Sequence, residues 1–324
     1  MIRFGLIGAG PNGRGNIRRL TEDKERARLA AVADLNRQVG SEAAKELGDD
    51  ETRVVEHFED FLDAVDTVVI SSPNFLHCDQ AIACAEAGKH VWIEKPMALS
   101  VAEADRICAA VDRAGVHSFV GFSVRFGGVP RTLVRNYRTG EIGELRSIWS
   151  RRLTRLKTEA SWRKDFVKSG GVMSELIAHE IDWMLDAAGL PESVLCRIQS
   201  DAPGDPRDND YVWMMFDYGP GATGTIEGAQ NADIADYYKG IVGSSGSIAD
   251  RSWGRKVWLQ KKGEEKAVQL EPDEPFSKHR HFLDVCEGNA QSVADVHWGR
   301  RVVAITERAL ESAIRGEIVS LQGI

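Results

Sequence analysis

The sequence feature that most constrains the fold is a glycine-rich hexapeptide near the N-terminus, Gly8-Ala9-Gly10-Pro11-Asn12-Gly13. An apolar run that predicts a strand, Ile2 to Ile7, comes directly before it, and a predicted helix follows. A G-x-G-x-x-G sequence between a strand and a helix is typical of dinucleotide-binding domains. Gly8 permits the tight turn, Gly10 allows the backbone to approach a pyrophosphate, and Gly13 lets the helix pack closely on the strand. The segment therefore predicts a dinucleotide site with the phosphates at the helix N-terminus.

An acidic residue downstream strengthens this prediction. Asp34 ends the second predicted strand, 21 residues after Gly13, where a carboxylate is placed to bind the adenosine ribose hydroxyls. Because a carboxylate at this position repels a 2′-phosphate, NAD(H) is favoured over NADP(H), although Arg37 lies nearby and weakens the preference. We expect Pro11 and Asn12 to line the cofactor together with the glycines.

The order of the predicted elements indicates an α/β protein. Over the first 122 residues, strands at Ile2–Ile7, Leu29–Ala33, Thr67–Ser71, His90–Ile93 and His117–Phe122 alternate with helices at Gln38–Leu47, Cys78–Ala87 and Ser100–Ala114. This alternation predicts a doubly wound parallel sheet. After residue 123, a helix at Pro130–Arg138 is followed mainly by consecutive strands joined by short turns, which predicts an open, largely antiparallel sheet. The segment 201–210 is predicted as a flexible loop.

Composition excludes several classes of protein. The 324 residues contain 41 Lys and Arg against 49 Asp and Glu, and the net charge of −8 argues against nucleic acid or an anionic membrane as a partner. No apolar stretch reaches the roughly 18 residues of a membrane span, and the N-terminus lacks signal-peptide architecture, so we predict a cytoplasmic protein. The five cysteines are scattered without a C-x-x-C pair, which predicts reduced thiols and no cysteine-based zinc site.

Further motifs occur in order along the chain. They are Ser71-Ser72-Pro73-Asn74-Phe75-Leu76-His77, Ala87-Gly88-Lys89-His90-Val91, Glu94-Lys95-Pro96, Ser161-Trp162-Arg163, Gly170-Gly171, His179-x-x-Asp182, and Ala309-Leu310-Glu311-Ser312-Ala313 with Gly316. The ordered set resembles the glucose-fructose oxidoreductase / inositol dehydrogenase (Gfo/Idh/MocA) family over essentially the whole chain. The resemblance implies a Rossmann domain at residues 1–122 and a substrate-binding and oligomerisation domain at 123–324, with the nicotinamide in the cleft between them.

The E-K-P motif supplies the first catalytic candidate. In the family, its lysine binds the reacting hydroxyl and helps to transfer the proton, a role that falls here on Lys95. A lysine at the end of a parallel strand lies beside the cofactor, and partial burial would lower its pKa and suit it to acid–base chemistry. Pro96 restricts the backbone of Lys95. Glu94 belongs to the predicted cofactor site by its place in the motif, but it should point to the opposite side of the strand and be structural.

Glu175, His179 and Asp182 provide the second set of candidates. Their spacing of i, i+4 and i+7 places them on one face of a helix, where a carboxylate one turn before an imidazole orients it as a general base. The resemblance implies that His179 is the catalytic histidine, that Glu175 replaces the family's usual aspartate, and that Asp182 reaches a substrate hydroxyl. Glu175 has one methylene more than that aspartate and Ile177 stands where the family has a glycine, so we expect the pocket to be narrowed or reshaped.

A zinc site built from the same three residues is the less favoured interpretation. The chain shows no second ligand cluster, and Trp183 occupies the place of the last histidine of H-E-x-x-H. We therefore predict no metal.

Smaller predictions complete the site. The resemblance places Ser72, Pro73, Asn74, His77, Trp162 and Arg163 at the cofactor, with Arg163 offering a positive charge to phosphate or ribose. Arg125 either binds a substrate oxygen or forms a structural salt bridge. Tyr237 either lines the sugar pocket or packs in the core. His279 and His281, two residues apart, face different sides of any helix and are not predicted to form a site.

The predicted function is that of an NAD(H)-dependent oxidoreductase. It would transfer a hydride between nicotinamide and a carbon of a sugar, inositol or sugar derivative, with Lys95 and His179 in proton transfer. Two alternatives stay open: an NAD-dependent glycosidase with transient oxidation, and a non-catalytic dinucleotide-binding regulator. Relatives form oligomers through the open sheet, so a homodimer or homotetramer is expected, with Trp213, Met215 and Trp258 on the paired face.

Overall fold

The computed structural model describes residues 1–155, 161–200, 210–250 and 255–324, so the loop predicted at 201–210 lies, except for Asp210, outside the described residues. The described chain forms two compact units. The first comprises Met1–Gly121 and Ser277–Val303, and the second comprises Phe122–Phe276 and Ala304–Ile324. The division that the sequence predicts at residue 122 has the chain pass from one unit to the other once, whereas in the structure it passes between the two units three times. The reason is that the segment after Ser277 buries an aromatic side chain, Phe282, against Trp92 and other rings of the first unit.

Fifteen strands and nine helices are present in the described residues. The strands are β1 (Ile2–Ile7), β2 (Ala27–Ala33), β3 (Arg53–Val55), β4 (Thr67–Ile70), β5 (His90–Ile93), β6 (Ser118–Val120), β7 (Leu145–Arg155), β8 (Ser193–Gln199), β9 (Tyr211–Asp217), β10 (Thr223–Ala229), β11 (Asn231–Gly243), β12 (Gly246–Asp250), β13 (Val257–Lys261), β14 (Val268–Leu270) and β15 (Val319–Ser320). The helices are α1 (Pro11–Leu20), α2 (Arg37–Leu47), α3 (His77–Glu86), α4 (Val101–Ala114), α5 (Gly128–Arg138), α6 (Phe166–Ser169), α7 (Ala178–Ala188), α8 (Lys278–Cys286) and α9 (Val296–Arg315).

The first unit is built on a six-stranded parallel sheet in the order β3-β2-β1-β4-β5-β6. Every residue of β4 is buried, and so are three of the four residues of β5, as expected for strands that are covered on both faces. The predicted doubly wound sheet is therefore confirmed. Sequence reasoning missed the edge strand β3, because its three residues are too few to form an apolar run.

The second unit is built on a nine-stranded mixed sheet in the order β14-β13-β12-β11-β7-β10-β9-β8-β15. Among the described strands of this sheet, only β7 and β10 pair in parallel, so the prediction of a largely antiparallel sheet is confirmed. Along β9 and β10, buried and exposed residues alternate, which shows that one face of the sheet is covered and the other is open. In the part of the chain that the structure describes, no helix is both long and apolar enough to pass through a lipid bilayer.

Helix α7 lies antiparallel to β7 and β10 on the covered face of this sheet. A Cβ built on Gly228 would lie 2.0 Å from Cδ1 of Ile177, whereas one built on Gly224 would lie 2.7 Å from Cε of Met184. Ile177 is fully buried at this contact. The side chain that we expected to narrow the pocket therefore packs into the sheet, where the missing side chain of Gly228 makes room for it.

The contact between Ile177 and Gly228 gives a prediction about stability. Gly228→Ala should lower the free energy of unfolding by about 1–3 kcal/mol, because the new Cβ overlaps Cδ1 of Ile177. Ile177→Val removes that atom, so the double variant should be more stable than the sum of the two single changes by about 0.5 kcal/mol or more. Denaturant titration measures these values. Gly15→Ala, in α1 with nothing within 4 Å of the added Cβ, serves as the control and should not destabilise. Strict additivity of Gly228→Ala and Ile177→Val would refute the contact.

Candidate active site

The glycine-rich loop has the geometry of a phosphate cradle. Gly8 has a φ of 84°, and a Cβ at this position would lie 2.7 Å from the backbone oxygen of Ser71. A Cβ on Gly13 would lie 2.3 Å from the backbone oxygen of Gly8, so both positions require glycine. Gly10 differs, since a Cβ there would meet nothing within 4 Å. Helix α1 begins at Pro11, and no side chain in the described residues caps its N-terminus. Open space and uncapped N–H groups at one point fit a bound pyrophosphate.

Asp34 is held against this loop by two backbone hydrogen bonds. Its Oδ2 accepts from the N–H of Ala9 at 2.9 Å, and its Oδ1 accepts from the N–H of Asn36 at 2.8 Å. Arg14 fixes the other side of the loop by donating from Nε to the carbonyl oxygen of Ala9 at 2.9 Å and from Nη2 to that of Val39 at 3.0 Å. Each oxygen of Asp34 keeps a further lone pair, and its predicted hydrogen bonds to the ribose hydroxyls stay a prediction.

His77 joins two loops of the first unit. Its buried ring lies between the carbonyl oxygen of Ser72, 2.9 Å from Nε2, and the carbonyl oxygen of Pro96, 2.8 Å from Nδ1. Ser72 also donates from Oγ to Gln80 at 2.5 Å, and Asn74 is buried at the start of the following turn. The predicted cofactor contacts of these residues stay predictions. What the structure adds is that the loop after β4 is tied to the segment that carries Lys95.

Lys95 is half-buried and lies two residues after the end of β5, with Glu94 between them. The Oε1 atom of Glu94 accepts hydrogen bonds from Nδ2 of Asn16 at 2.7 Å and from Nε1 of Trp92 at 3.2 Å. A Cβ on Gly121 would lie 2.5 Å from the same oxygen, so the carboxylate has a fitted pocket. The structural role expected of Glu94 agrees with this geometry.

Sequence reasoning missed the buried polar chain behind Glu94. Nε2 of His279 lies 3.0 Å from Oδ1 of Asn16, and the His279 ring stacks on Trp92 at 5.2 Å between centroids. Burial lowers the pKa of His279 to about 3, so the ring is neutral and its Nε2–H donates to Asn16. No sequence signal identified this row of hydrogen-bonded side chains, because Asn16 and His279 lie 263 residues apart.

In the second unit, two left-handed glycines precede the helix that carries the predicted catalytic residues. Gly170 and Gly171 have φ values of 77° and 66°, which explains why the motif requires glycine at both positions. A π-helical turn, Met173–Ile177, follows and continues directly into α7. Glu175 lies in this turn and His179 in the first turn of α7, and both side chains are buried. Turns of this kind are frequent at functional sites.

The surroundings of His179 and Glu175 combine an aromatic ring with a cation. The ring of Phe122 meets the His179 ring edge-on, with centroids 6.4 Å apart. Nε of Arg163 lies 3.5 Å from Oε2 of Glu175, and the guanidinium lies over the ring of Trp162 at 5.2 Å. The structure thus brings Trp162 and Arg163 to the predicted catalytic acid. Their predicted contact with the cofactor stays a prediction.

Asp182 pairs with Arg125. Oδ1 of Asp182 lies 3.4 Å from Nε of Arg125, and Nη1 of Arg125 lies 3.6 Å from Oδ1 of Asp186. The Asp182 side chain has no exposed surface, and only 4% of the Arg125 side chain is exposed. The structure therefore contains the salt bridge that the sequence left open for Arg125, and its predicted contact with a substrate oxygen stays a prediction.

A second buried ion pair lies on the sheet side of α7. Glu180 and Lys239 are almost completely buried, and Oε2 of Glu180 accepts from Nζ of Lys239 at 2.8 Å and from Oγ of Ser150 at 2.5 Å. Oε1 accepts from Nη1 of Arg152 at 3.1 Å. Burial acts to raise the pKa of Glu180, but Lys239 and Arg152 outweigh it and hold that pKa below its ordinary value. Burial likewise acts to lower the pKa of Lys239, and Glu180 reverses the direction.

Sequence reasoning missed this cluster, although one signal for it exists. Tyr237, Lys239 and Ile241 alternate along β11 and therefore share one face, and Ile241 is buried. A lysine at an inward position of a strand requires a carboxylate nearby, and Glu180 follows the predicted catalytic histidine. Tyr237 lies at the outer end of the cluster, with Lys239 Nζ 4.7 Å and Arg152 5.4 Å from its ring centroid.

The fold and the two sets of side chains define a dinucleotide-binding α/β enzyme. Within the described ranges no three His, Cys, Asp or Glu side chains cluster as a metal site would require. The family model described as "Oxidoreductase family, NAD-binding Rossmann fold" matches residues 2–122, and the model described as "GFO/IDH/MocA C-terminal domain" matches residues 131–249. The chain belongs to the Gfo/Idh/MocA family of NAD-binding oxidoreductases.

Individual relatives and solved structures agree with this placement. The chain is 28% identical to 2,7-anhydro-N-acetylneuraminate hydratase of Escherichia coli K12, over 76% of this chain and 67% of that protein. It is also 28% identical to scyllo-inositol 2-dehydrogenase (NAD(+)) of Bacillus subtilis 168, over 76% of this chain and 73% of that protein. A solved levoglucosan dehydrogenase in complex with NADH and levoglucosan superposes with a TM-score of 0.88 at 21% identity, covering 99% of both chains. That likeness confirms the fold.

The buried pair of Glu180 and Lys239 gives a second prediction. Glu180→Gln should cost about 3–5 kcal/mol of unfolding free energy, because it leaves the ammonium of Lys239 buried without a counter-charge. Lys239→Met should also destabilise, and the double variant should lose less than the sum of the two single losses. Thermal and denaturant unfolding measure the cycle. Because the folded-state pKa of Glu180 is lowered, the stabilisation is present above the unfolded carboxylate's pKa and is lost as pH falls through the folded value.

Glu227→Gln is the matched control for this cycle. Its partner Arg151 lies 3.2 Å away on the open face, and both side chains are more than a third exposed. Loss of an exposed pair costs about 1 kcal/mol or less. Equal losses for Glu180→Gln and Glu227→Gln would contradict the account of the buried pair.

Proposed function

We propose that this protein is an NAD-dependent dehydrogenase or reductase whose substrate is a sugar, a polyol or a sugar derivative. The observation that carries the proposal is that the chain has both proton-transfer groups of the family. Lys95 follows β5, and His179 lies on α7 with its ring beside that of Phe122. The names of relatives support the substrate class, since they include dehydrogenases of scyllo-inositol and of levoglucosan.

The first unit supplies the groups that hold the dinucleotide. We assign the pyrophosphate to the open side of Gly10 and the N–H groups of α1, and the adenosine ribose to Asp34. When bound, NAD supplies a ring that accepts or donates a hydride. A 2′-phosphate would meet the carboxylate of Asp34, which favours NAD over NADP.

Lys95 and His179 share the work on the substrate oxygen. During oxidation, the imidazole of His179 would accept the O–H proton, and the carbon that carries this oxygen would release its hydride to the nicotinamide of bound NAD. The amine of Lys95 would bind the oxygen as the carbonyl forms. Glu175, one turn before His179 and paired with Arg163, sets the charge around the imidazole. The buried salt bridge of Arg125 and Asp182 positions α7, and contact of Asp182 with a substrate hydroxyl stays a prediction.

These roles predict the behaviour of two single variants. Lys95→Ala and His179→Ala should each lower kcat by about 10²-fold or more, because each removes a group that handles the hydroxyl proton. NADH should still bind, since the glycine-rich loop and Asp34 are untouched. Absorbance at 340 nm measures turnover, and NADH fluorescence measures binding. Lys45→Ala and His297→Ala, both at exposed positions, are the controls. Near-normal turnover in both Lys95→Ala and His179→Ala would refute the assignment.

A glycosidase or hydratase that oxidises its substrate transiently is the second candidate. It is favoured by one specific observation, the likeness to a 2,7-anhydro-N-acetylneuraminate hydratase. Such an enzyme would consume its sugar without net change at 340 nm, whereas a dehydrogenase changes the absorbance in proportion to product. A non-catalytic regulator would bind NADH and consume no sugar.

We also propose that a second copy of the chain covers the open face of the sheet in the second unit. Trp213 and Met215, 41% and 52% exposed, lie on this face beside Trp149 and Leu195 in one groove, whose lining also includes Arg151, Arg197 and Glu227. Exposed apolar patches of this kind mark interaction surfaces, and most soluble oligomers are symmetric homo-oligomers.

The oligomer proposal predicts the effect of one charge. Trp213→Arg should convert the oligomer to a monomer, because it replaces an exposed apolar ring by a third cation in a groove that Arg151 and Arg197 already line. Light scattering after size-exclusion chromatography gives the mass. Ile314→Arg, at an exposed position on α9, is the control and should leave the mass unchanged. A wild-type chain that is monomeric at micromolar concentration would rule the proposal out.

A further inference from the structure

The covered face of the second sheet holds more positive charge than its own carboxylate requires. Lys239 lies 2.8 Å from Oε2 of Glu180, and Arg152 lies 3.1 Å from Oε1 of the same carboxylate. Lys239 and Glu180 are both almost fully buried. Because they carry opposite unit charges, the pair is already electrically neutral. The charge of Arg152 is therefore surplus within the cluster.

Other arginines of β7 are balanced differently. Arg151, next in the chain and on the opposite face, has two carboxylates, Glu227 at 3.2 Å and Asp236 at 3.3 Å. A guanidinium offers five N–H donors, and of those on Arg152 only Nη1 has a protein acceptor within the described residues. The side chain of Arg152 is 24% exposed, so its remaining donors reach solvent from a largely covered site.

The register of the sheet shows where these donors lie. Gly228 pairs with Arg152 across β10 and β7, and Tyr237 pairs with Arg152 across β11 and β7. Because Ile177 contacts Gly228, Arg152 lies level with the start of α7. Ile177 stands between Glu175 and His179 in the chain, two residues from each. Arg152 and Tyr237 therefore flank the end of α7 that carries the predicted catalytic residues.

We infer that Arg152 binds an anionic group of the substrate, so that the enzyme acts on acidic sugars, carrying a carboxylate or a phosphate, in preference to neutral ones. The planar fork of arginine matches both groups through paired hydrogen bonds, and partial burial strengthens them. The ring of Tyr237, 5.4 Å from the guanidinium, holds its plane in place. The inference rests on the proposed function, because it specifies the substrate class for the same site.

A matched set of sugars tests the inference. D-Glucose, D-glucuronate and D-glucose 6-phosphate differ only at carbon 6, and turnover with NAD is followed at 340 nm. In the wild-type enzyme, at least one acid should have a kcat/KM about tenfold or more above that of glucose, since hydrogen bonds to charged groups are the stronger ones. Comparing glucuronate with glucose 6-phosphate distinguishes carboxylate from phosphate recognition.

Variants connect the preference to Arg152. Arg152→Gln should bring the acid-to-neutral ratio of kcat/KM close to 1, and Arg152→Lys should keep part of it because the charge remains. Arg146→Gln is the control: it removes the same charge from the same strand, six residues away, where Arg146 pairs with Glu144. This control should keep the wild-type ratio. A structural role of Arg152 would change stability without changing the ratio.

A binding measurement separates failure of the inference from failure of the proposed function. The shift in Tm of the NADH complex is recorded with each sugar. If no sugar is oxidised but an acid raises Tm in the wild type and not in Arg152→Gln, the dehydrogenase function fails and the inference holds. If glucose performs as well as both acids, if Arg152→Gln keeps the preference, or if neither acid is turned over or bound, the inference is overturned.

Discussion

Burial of the Glu180 carboxylate is the interaction on which the second unit depends. A carboxylate without exposed surface is stable only when its charge and its lone pairs are satisfied, and here Lys239, Arg152 and Ser150 provide three hydrogen bonds. Glu180 belongs to α7, whereas its three partners belong to the sheet. The helix is therefore held to the sheet in one register, and His179, the preceding residue, is held with it.

The first unit uses close backbone packing and carboxylates that accept hydrogen bonds from neutral donors for the same purpose. Gly8 and Gly13 allow backbone segments to approach more closely than any side chain would permit, and Asp34 fastens the glycine-rich loop to the end of β2. Glu94 is held by Asn16 and Trp92, which fixes the strand end from which Lys95 extends. In both units, a buried carboxylate that takes no part in the proposed chemistry fixes the position of the neighbouring residue involved in it. Glu94 does this for Lys95, and Glu180 does it for His179.

Sequence reasoning succeeded where the signal was local. The G-x-G-x-x-G motif with Asp34 predicted the NAD cofactor, because the motif, its spacing and its flanking elements lie within one short segment. The alternation of neighbouring strands and helices predicted the parallel sheet. It failed where the partners are far apart in the chain. The pairing of Glu180 with Lys239 spans 59 residues, and that of Asn16 with His279 spans 263. The return of the segment after Ser277 to the first unit was missed for the same reason.

The residue at 177 shows the limit of reasoning from a motif alone. An isoleucine in place of glycine predicted a narrower pocket, but the structure accommodates it against Gly228 in the sheet. Whether a side chain enlarges the core or narrows a pocket depends on the residue opposite, and that residue is identified only by the register of β10 with β7. Compensation of this kind follows from close packing, in which added volume at one position requires a smaller neighbour.

The measurement that tests the account most directly is the pH dependence of kcat/KM for substrate oxidation by the wild type and by His179→Asn. The account predicts that the wild-type rate falls on the acid side, where a base must be unprotonated, and that this fall disappears in the slower variant. An unchanged acid-side fall in His179→Asn would show that another group accepts the proton, and would contradict the central claim.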